Sequence, residues 1–178
     1  MVQVWYLDNH GNQPDDPEFI NVEELLKNTG VQYMQLNVES YATDGVLDKL
    51  KVDRGYNYED EMSCSKSGSA ADEAKLKSFS IEHLHADEEI RFFVEGSGDF
   101  DVRDVNDRWV RIHVVPGDMI ILPGGIYHRF SIDSYCKMRR YFTEEPVWKA
   151  HNRPAEDLTA RKDYVQKLQN GYFIAQHC

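Results

Sequence analysis

The 178-residue sequence is poor in cysteine: three occur (Cys64, Cys136 and Cys178), odd in number and without a C-x-x-C spacing. This excludes a disulfide framework and fits ordinary thiols of a reducing compartment, each read as a small hydrophobe or a bystander. Cations are also scarce: 20 Lys and Arg stand against 31 Asp and Glu, a formal charge of −11. Nucleic acid and anionic membrane surfaces need clustered cations, so neither is expected as a partner. No apolar run reaches the ~20 residues of a membrane span, so insertion is not expected. The first residues, MVQVWYLDNHGNQ, have neither a charged leader nor an apolar core, so no secretory signal is expected. Internal repeats, low-complexity arrays and linkers are absent too. The length suits one core. The expectation is a single domain over residues 1–178, a cytoplasmic monomer with nuclear entry left open.

What is present changes character along the chain. Residues 2–7 are rich in β-formers and read as a strand, and Asp8–Phe19, with its prolines and acids, as a loop. Asn21 and Glu24 have capping-box spacing, and Gly30 can close the helix they open, so residues 22–29 are predicted helical. Val46, Leu47 and Leu50 suggest a second helix over 44–52, ending near Gly55. Ser63–Glu73, rich in Ser, Ala, Lys and Gly, reads as an exposed, mobile connection.

From residue 76 onward the pattern is β. Ile90–Val94 is a strand, Glu95–Gly98 a turn signal, and Phe100 and Val102 alternate with polar residues. A second turn falls at Asp104–Asp107. Strands follow at 109–115, 119–122, 127–132 and 138–142, divided by Pro116-Gly117-Asp118 and Pro123-Gly124-Gly125. Such spacing signals an antiparallel sandwich or barrel. The tail returns to helix, with Leu158, Val165 and Leu168 near 3.6-residue spacing and Gly171 after them.

Seven histidines occur, and two lie at i and i+2 in His83-Leu84-His85, with Glu89 four residues further on. On extended backbone both imidazoles share a face, and the turn-prone Ala86-Asp87-Glu88 can bring Glu89 back towards them. Two imidazoles and a carboxylate are a ligand set for Fe(II), Ni, Mn or Zn. Forty residues later, Gly117-x5-Pro123-x-Gly125-x2-His128 sets a third histidine at the start of a strand. Gly117 and Gly125 permit positive φ there, and Pro123 fixes the turn between strands. His113, on an alternating strand, reads as exposed. His10, His151 and His177 are assigned nothing.

These two halves, residues 83–96 and 117–128, resemble the paired motifs of the cupin superfamily, a small jelly-roll barrel around one metal. Two positions depart from that pattern: Lys77 and Ile132 stand where a glycine and an asparagine are usual, and neither is a ligand. Four further stretches resemble the acireductone dioxygenase family: Glu82–Arg91, Gly96–Asp104, Leu122–Phe130 and Glu145–Ala155. The likeness spans nearly the whole chain and is weakest over 61–76.

The resemblance implies a mostly β cupin jelly-roll with peripheral N- and C-terminal helices. It implies one Fe(II) or Ni(II) per chain, with Co and Mn as further candidates, on His83, His85, Glu89 and His128. Its partners would be a small ene-diol ketone and O2. In this family the iron form gives formate and 4-methylthio-2-oxobutanoate, and the nickel or cobalt form gives formate, CO and 3-(methylthio)propanoate. Arg91 shares the Glu89 face and is a candidate to stabilise the substrate anion, unless it is spent on Glu88 or another acid. Arg140 is the second cationic candidate, unless it is an exposed strand charge. Phe79 and Phe130 match positions lining the pocket, with plain core packing as the alternative. Trp148 reads as an anchor closing the barrel. Two other functions stay open: a cupin isomerase without a redox step, and a non-catalytic metal-binding cupin.

Overall fold

The computed structural model describes residues 2–147 and 149–176; the readings of Trp148, His177 and Cys178 fall outside these. Among the described residues, nine strands join in one antiparallel sheet. Its central path is β1 (Gln3–Tyr6), β6 (Trp109–Val114), β5 (Glu89–Arg103), β8 (His128–Phe142), β4 (His83–Leu84) and β9 (His151–Asn152). Off that path, β7 (Asp118–Leu122) pairs with both β5 and β2 (Gln32–Gln35), and β3 (Tyr58–Ser65) pairs with β8.

The helices surround it: α1 (Val22–Thr29), α2 (Val46–Arg54), α3 (Ala70–Phe79), α4 (Thr159–Gln169) and α5 (Tyr172–Ala175). The capping box forms as read, with Asn21 accepting from the Glu24 amide and Glu24 accepting from the Asn21 amide, and Gly30 ends α1 at φ +74°. Among the described residues, no helix is long and apolar enough to cross a membrane.

Alternation along β5 divides the interior. Ile90 and Phe92 face one way, into a cluster with Met119, Ile121, Tyr141 and Leu47 of α2. Phe93, Phe100 and Val102 belong to the larger core, with Val110, Ile112, Ile120 and Phe130. Burial of each such side chain contributes about 1.5–3 kcal/mol. Glu89 and Arg91 are buried as well, although charged. The strand that builds the core therefore also delivers charge to the interior.

Three expectations are corrected. Glu95–Gly98 does not reverse the chain, because β5 runs through it with register shifts at Phe93/Glu95 and Gly96/Gly98. Gly96 absorbs the irregularity at φ +69°, so the strand bends instead of turning. Likewise, residues 128–142 form one strand rather than two. The supposed mobile connection over 63–73 is ordered: Ser63–Ser65 complete β3, and Ser69 opens α3 with a capping box to Asp72.

Gly96 supports a prediction. A Cβ there would sit 1.9 Å from the Tyr135 carbonyl oxygen. Gly96→Ala should therefore cost well over the ~1–2 kcal/mol that left-handed backbone alone costs an L-residue. A urea midpoint unchanged from wild type would contradict this.

Candidate metal centre

Each candidate ligand is held by a separate piece of backbone. β4 is only two residues long, yet His83 is the cross-strand partner of His128 on β8 and of Asn152 on β9. His85 follows the end of β4, and Glu89 opens β5 after the turn at 86–88. His128 opens β8, three residues after Gly125 at φ +88°. The ring centroids of His83 and His128 lie 4.5 Å apart, those of His83 and His85 5.0 Å, and those of His85 and His128 5.6 Å. One nitrogen from each ring lies within 4.8 Å of the others, a grouping that could hold a metal ion.

The other ring nitrogen decides which way the lone pairs point. His83 Nδ1 lies 2.6 Å from the Ile81 carbonyl oxygen, His85 Nδ1 2.9 Å from that of Lys149, and His128 Nδ1 3.0 Å from that of Ile126. A carbonyl only accepts, so each Nδ1 carries the proton and donates. Each Nε2 is then the unprotonated nitrogen that carries the lone pair, the arrangement by which outer hydrogen bonds orient metal-binding imidazoles.

Glu89 Oε2 lies 3.0 Å from His128 Nε2 and 3.5 Å from His85 Nε2. Both Glu89 Oε2 and His128 Nε2 are buried without a hydrogen bond. An acceptor facing an acceptor at that distance costs free energy unless a cation sits between them, so these residues fit a metal ion.

Electrostatics agree. Burial raises the Glu89 pKa, but the Arg91 guanidinium opposes it, and the carboxyl lies well below the usual range. Burial, then the neighbouring His128, depresses His83 to about 4. Burial likewise lowers His85. The folded chain therefore keeps His83 neutral down to about pH 4, whereas an unfolded chain protonates it near 6.5. The unfolded state binds the extra proton, so metal-free stability should fall as pH drops from about 6.5 to about 4. Urea midpoints across that window measure it. His83→Gln should flatten the slope by about one proton, and an unflattened slope would contradict the assignment.

A cavity of about 570 Å³ opens over the three imidazoles and Glu89. Arg91, Arg140, Phe79 and Phe130, all read from sequence, line it. Arg91 Nη2 pairs with Glu89 Oε1 at 3.0 Å, so the alternative of a salt bridge to another acid is met while the residue still lines the cavity. Arg140 is half-buried, not an exposed strand charge, and its Nε donates to Asp60 at 2.6 Å. Phe130 both packs and lines: its ring stacks on Phe100 at 4.4 Å and stands 6.1 Å from Phe79. His113 departs from its reading, being half-buried with Nδ1 2.8 Å from Asp99 Oδ1.

Sequence reasoning missed Asp60 and Met62, which β3 supplies. Cross-strand pairing sets Asp60 against Arg140 and Met62 against Met138. The signal was faint: Tyr58, Met62 and Cys64 share one face of an extended segment, but the three consecutive acids Glu59-Asp60-Glu61 hide it.

A family model described as "ARD/ARD′ family" matches residues 3–150. Acireductone dioxygenase of Drosophila melanogaster is 48% identical, over 98% of this chain and 97% of its own. That of Ixodes scapularis is 45% identical over 98% and 100%, and acireductone dioxygenase 4 of Arabidopsis thaliana 45% over 94% and 93%. A solved acireductone dioxygenase from Bacillus anthracis, with a cadmium ion in its active center, superposes with a TM-score of 0.69. It is 25% identical, over 84% of this chain and 97% of its own. The mostly β cupin fold with peripheral helices therefore holds. By sequence, fold and the gathered histidines alike, the chain belongs to the ARD/ARD′ family of acireductone dioxygenases.

Proposed function

We propose that this chain oxidises the acireductone 1,2-dihydroxy-5-(methylthio)pent-1-en-3-one with O2, as a step of methionine salvage, using one Fe(II) or Ni(II) held by His83, His85, Glu89 and His128. The observation that carries the reading is the gathering of one nitrogen from each of His83, His85 and His128 within 4.8 Å of one another, with an unpartnered Glu89 oxygen 3.0 Å from His128 Nε2. When bound on these residues, a metal would supply a Lewis acid and a template for the substrate.

The chain's own residues do the rest. Glu89 stays ionised and lowers the net charge of the centre. Arg91 and Arg140 face the cavity from cross-strand partner positions and bind the substrate anion. Asp60 holds the Arg140 guanidinium through both Nε and Nη2. Phe79, Phe100 and Phe130, with Met138, form the apolar wall that excludes water and receives the methylthio tail. The chain works as a cytoplasmic monomer in this reading.

Reconstituting the metal-free chain separately with Fe(II) and Ni(II) tests it. With acireductone under O2, the iron form should release formate and 4-methylthio-2-oxobutanoate. The nickel form should release formate, CO and 3-(methylthio)propanoate. Absence of O2 uptake with both metals would favour an isomerase or a binding cupin.

A further inference from the structure

A second cavity, of about 880 Å³, shares His85 and Glu89 with the cavity over the metal centre. The two cavities differ in charge. The first carries Arg91, Arg140 and Lys75 against Glu61 and Glu89. The second carries Asp87, Glu88, Glu144, Glu145 and Asp163 beside Glu89, against Lys149 and Lys167. Those first five carboxylates are exposed, and among the described residues none of them forms an ion pair. Lys167 is engaged, its ammonium 5.1 Å from the Tyr172 ring centroid.

An acidic rim alone would be an ordinary solvated surface. Here the same cavity shares His85 and Glu89 with the metal centre, and Glu89 is 8% exposed with Oε2 unpartnered. A cleft lined by one sign of charge concentrates counterions and raises their arrival rate by about 10–1,000-fold. The same field repels an anionic ene-diol.

We infer that divalent metal ions reach the centre through the second cavity, drawn by Asp87, Glu88, Glu144, Glu145 and Asp163, while the anionic substrate enters by the first. This rests on the metal centre proposed above. The two mouths divide traffic by charge, so metal loading does not cross the guanidinium-lined pocket.

The test uses the metal-free full chain mixed with Ni(II), quenched with chelator at set times and assayed for bound nickel. The triple variant Glu144→Gln, Glu145→Gln, Asp163→Asn should slow association about tenfold at low salt, with final occupancy still one per chain. The gap should close towards 1 M salt, where the screening length falls to ~3 Å. A control, Asp15→Asn, Asp16→Asn, Glu39→Gln, removes equal charge at exposed sites outside both cavities. It should slow uptake far less. Equal slowing by both triples, or none by the first, overturns the route while leaving the centre intact. A wild-type chain that binds no nickel at equilibrium overturns the centre and the route together.

Discussion

Replacing His85 with alanine is expected to empty the metal centre, lowering affinity by more than about a hundredfold, while the sheet stays folded. Losing a residue that only orients a ligand typically costs 10–100-fold, so losing the ligand itself should exceed that range. His85 suits the test because its structural duties are small. It lies beyond the end of β4, is half-buried, and its Nδ1 donates to the Lys149 carbonyl. Removing it breaks no ladder pairing, unlike removal of His83 or His128, which are each other's cross-strand partners. Elemental analysis and far-UV circular dichroism give the two readouts. Full metal occupancy in a folded His85→Ala chain would contradict the assignment.

The second large effect is expected at Arg91. It is buried and pairs at 3.0 Å with Glu89, itself buried beside His85 and His128. Arg91→Met keeps most of the volume but leaves the Glu89 charge uncompensated, which costs about 3–5 kcal/mol for a broken buried pair. That cost should fall mainly on the metal-free chain, because a bound cation also compensates the carboxylate. Bound metal should thus raise the melting temperature of Arg91→Met more than that of wild type. With metal saturating, the variant should keep its metal but need at least about tenfold more substrate, the loss of one charge-assisted contact. A KM equal to that of wild type would remove Arg91 from substrate binding.

Much of this was legible in the sequence because local rules and the global fold agreed. The Asn21–Glu24 box, the Gly30 cap and the glycines flanking β7 all specify backbone by their own chemistry. The histidine pair and Glu89 were visible because ligand chemistry demands a fixed spacing on extended backbone. The rest depended on pairing. β3 is mostly polar, and β8 alone makes it a strand. α3 has no fully buried residue, so apolar periodicity could not reveal it. Asp60 reaches Arg140 only because those two strands are in register. The Lys149 carbonyl that fixes the His85 tautomer is 64 residues away and carries no side-chain signature. Glu95–Gly98 misled because a glycine bulge and a glycine turn look alike in sequence, and only the partner strand distinguishes them.

The most direct test is an anomalous-difference map from crystals of the nickel- or iron-loaded chain. One strong peak per chain is expected, ~2.0–2.2 Å from Nε2 of His83, His85 and His128 and from a Glu89 carboxylate oxygen. A peak bound elsewhere, or these four side chains turned apart around an empty interior, would contradict the metal centre and the chemistry built on it.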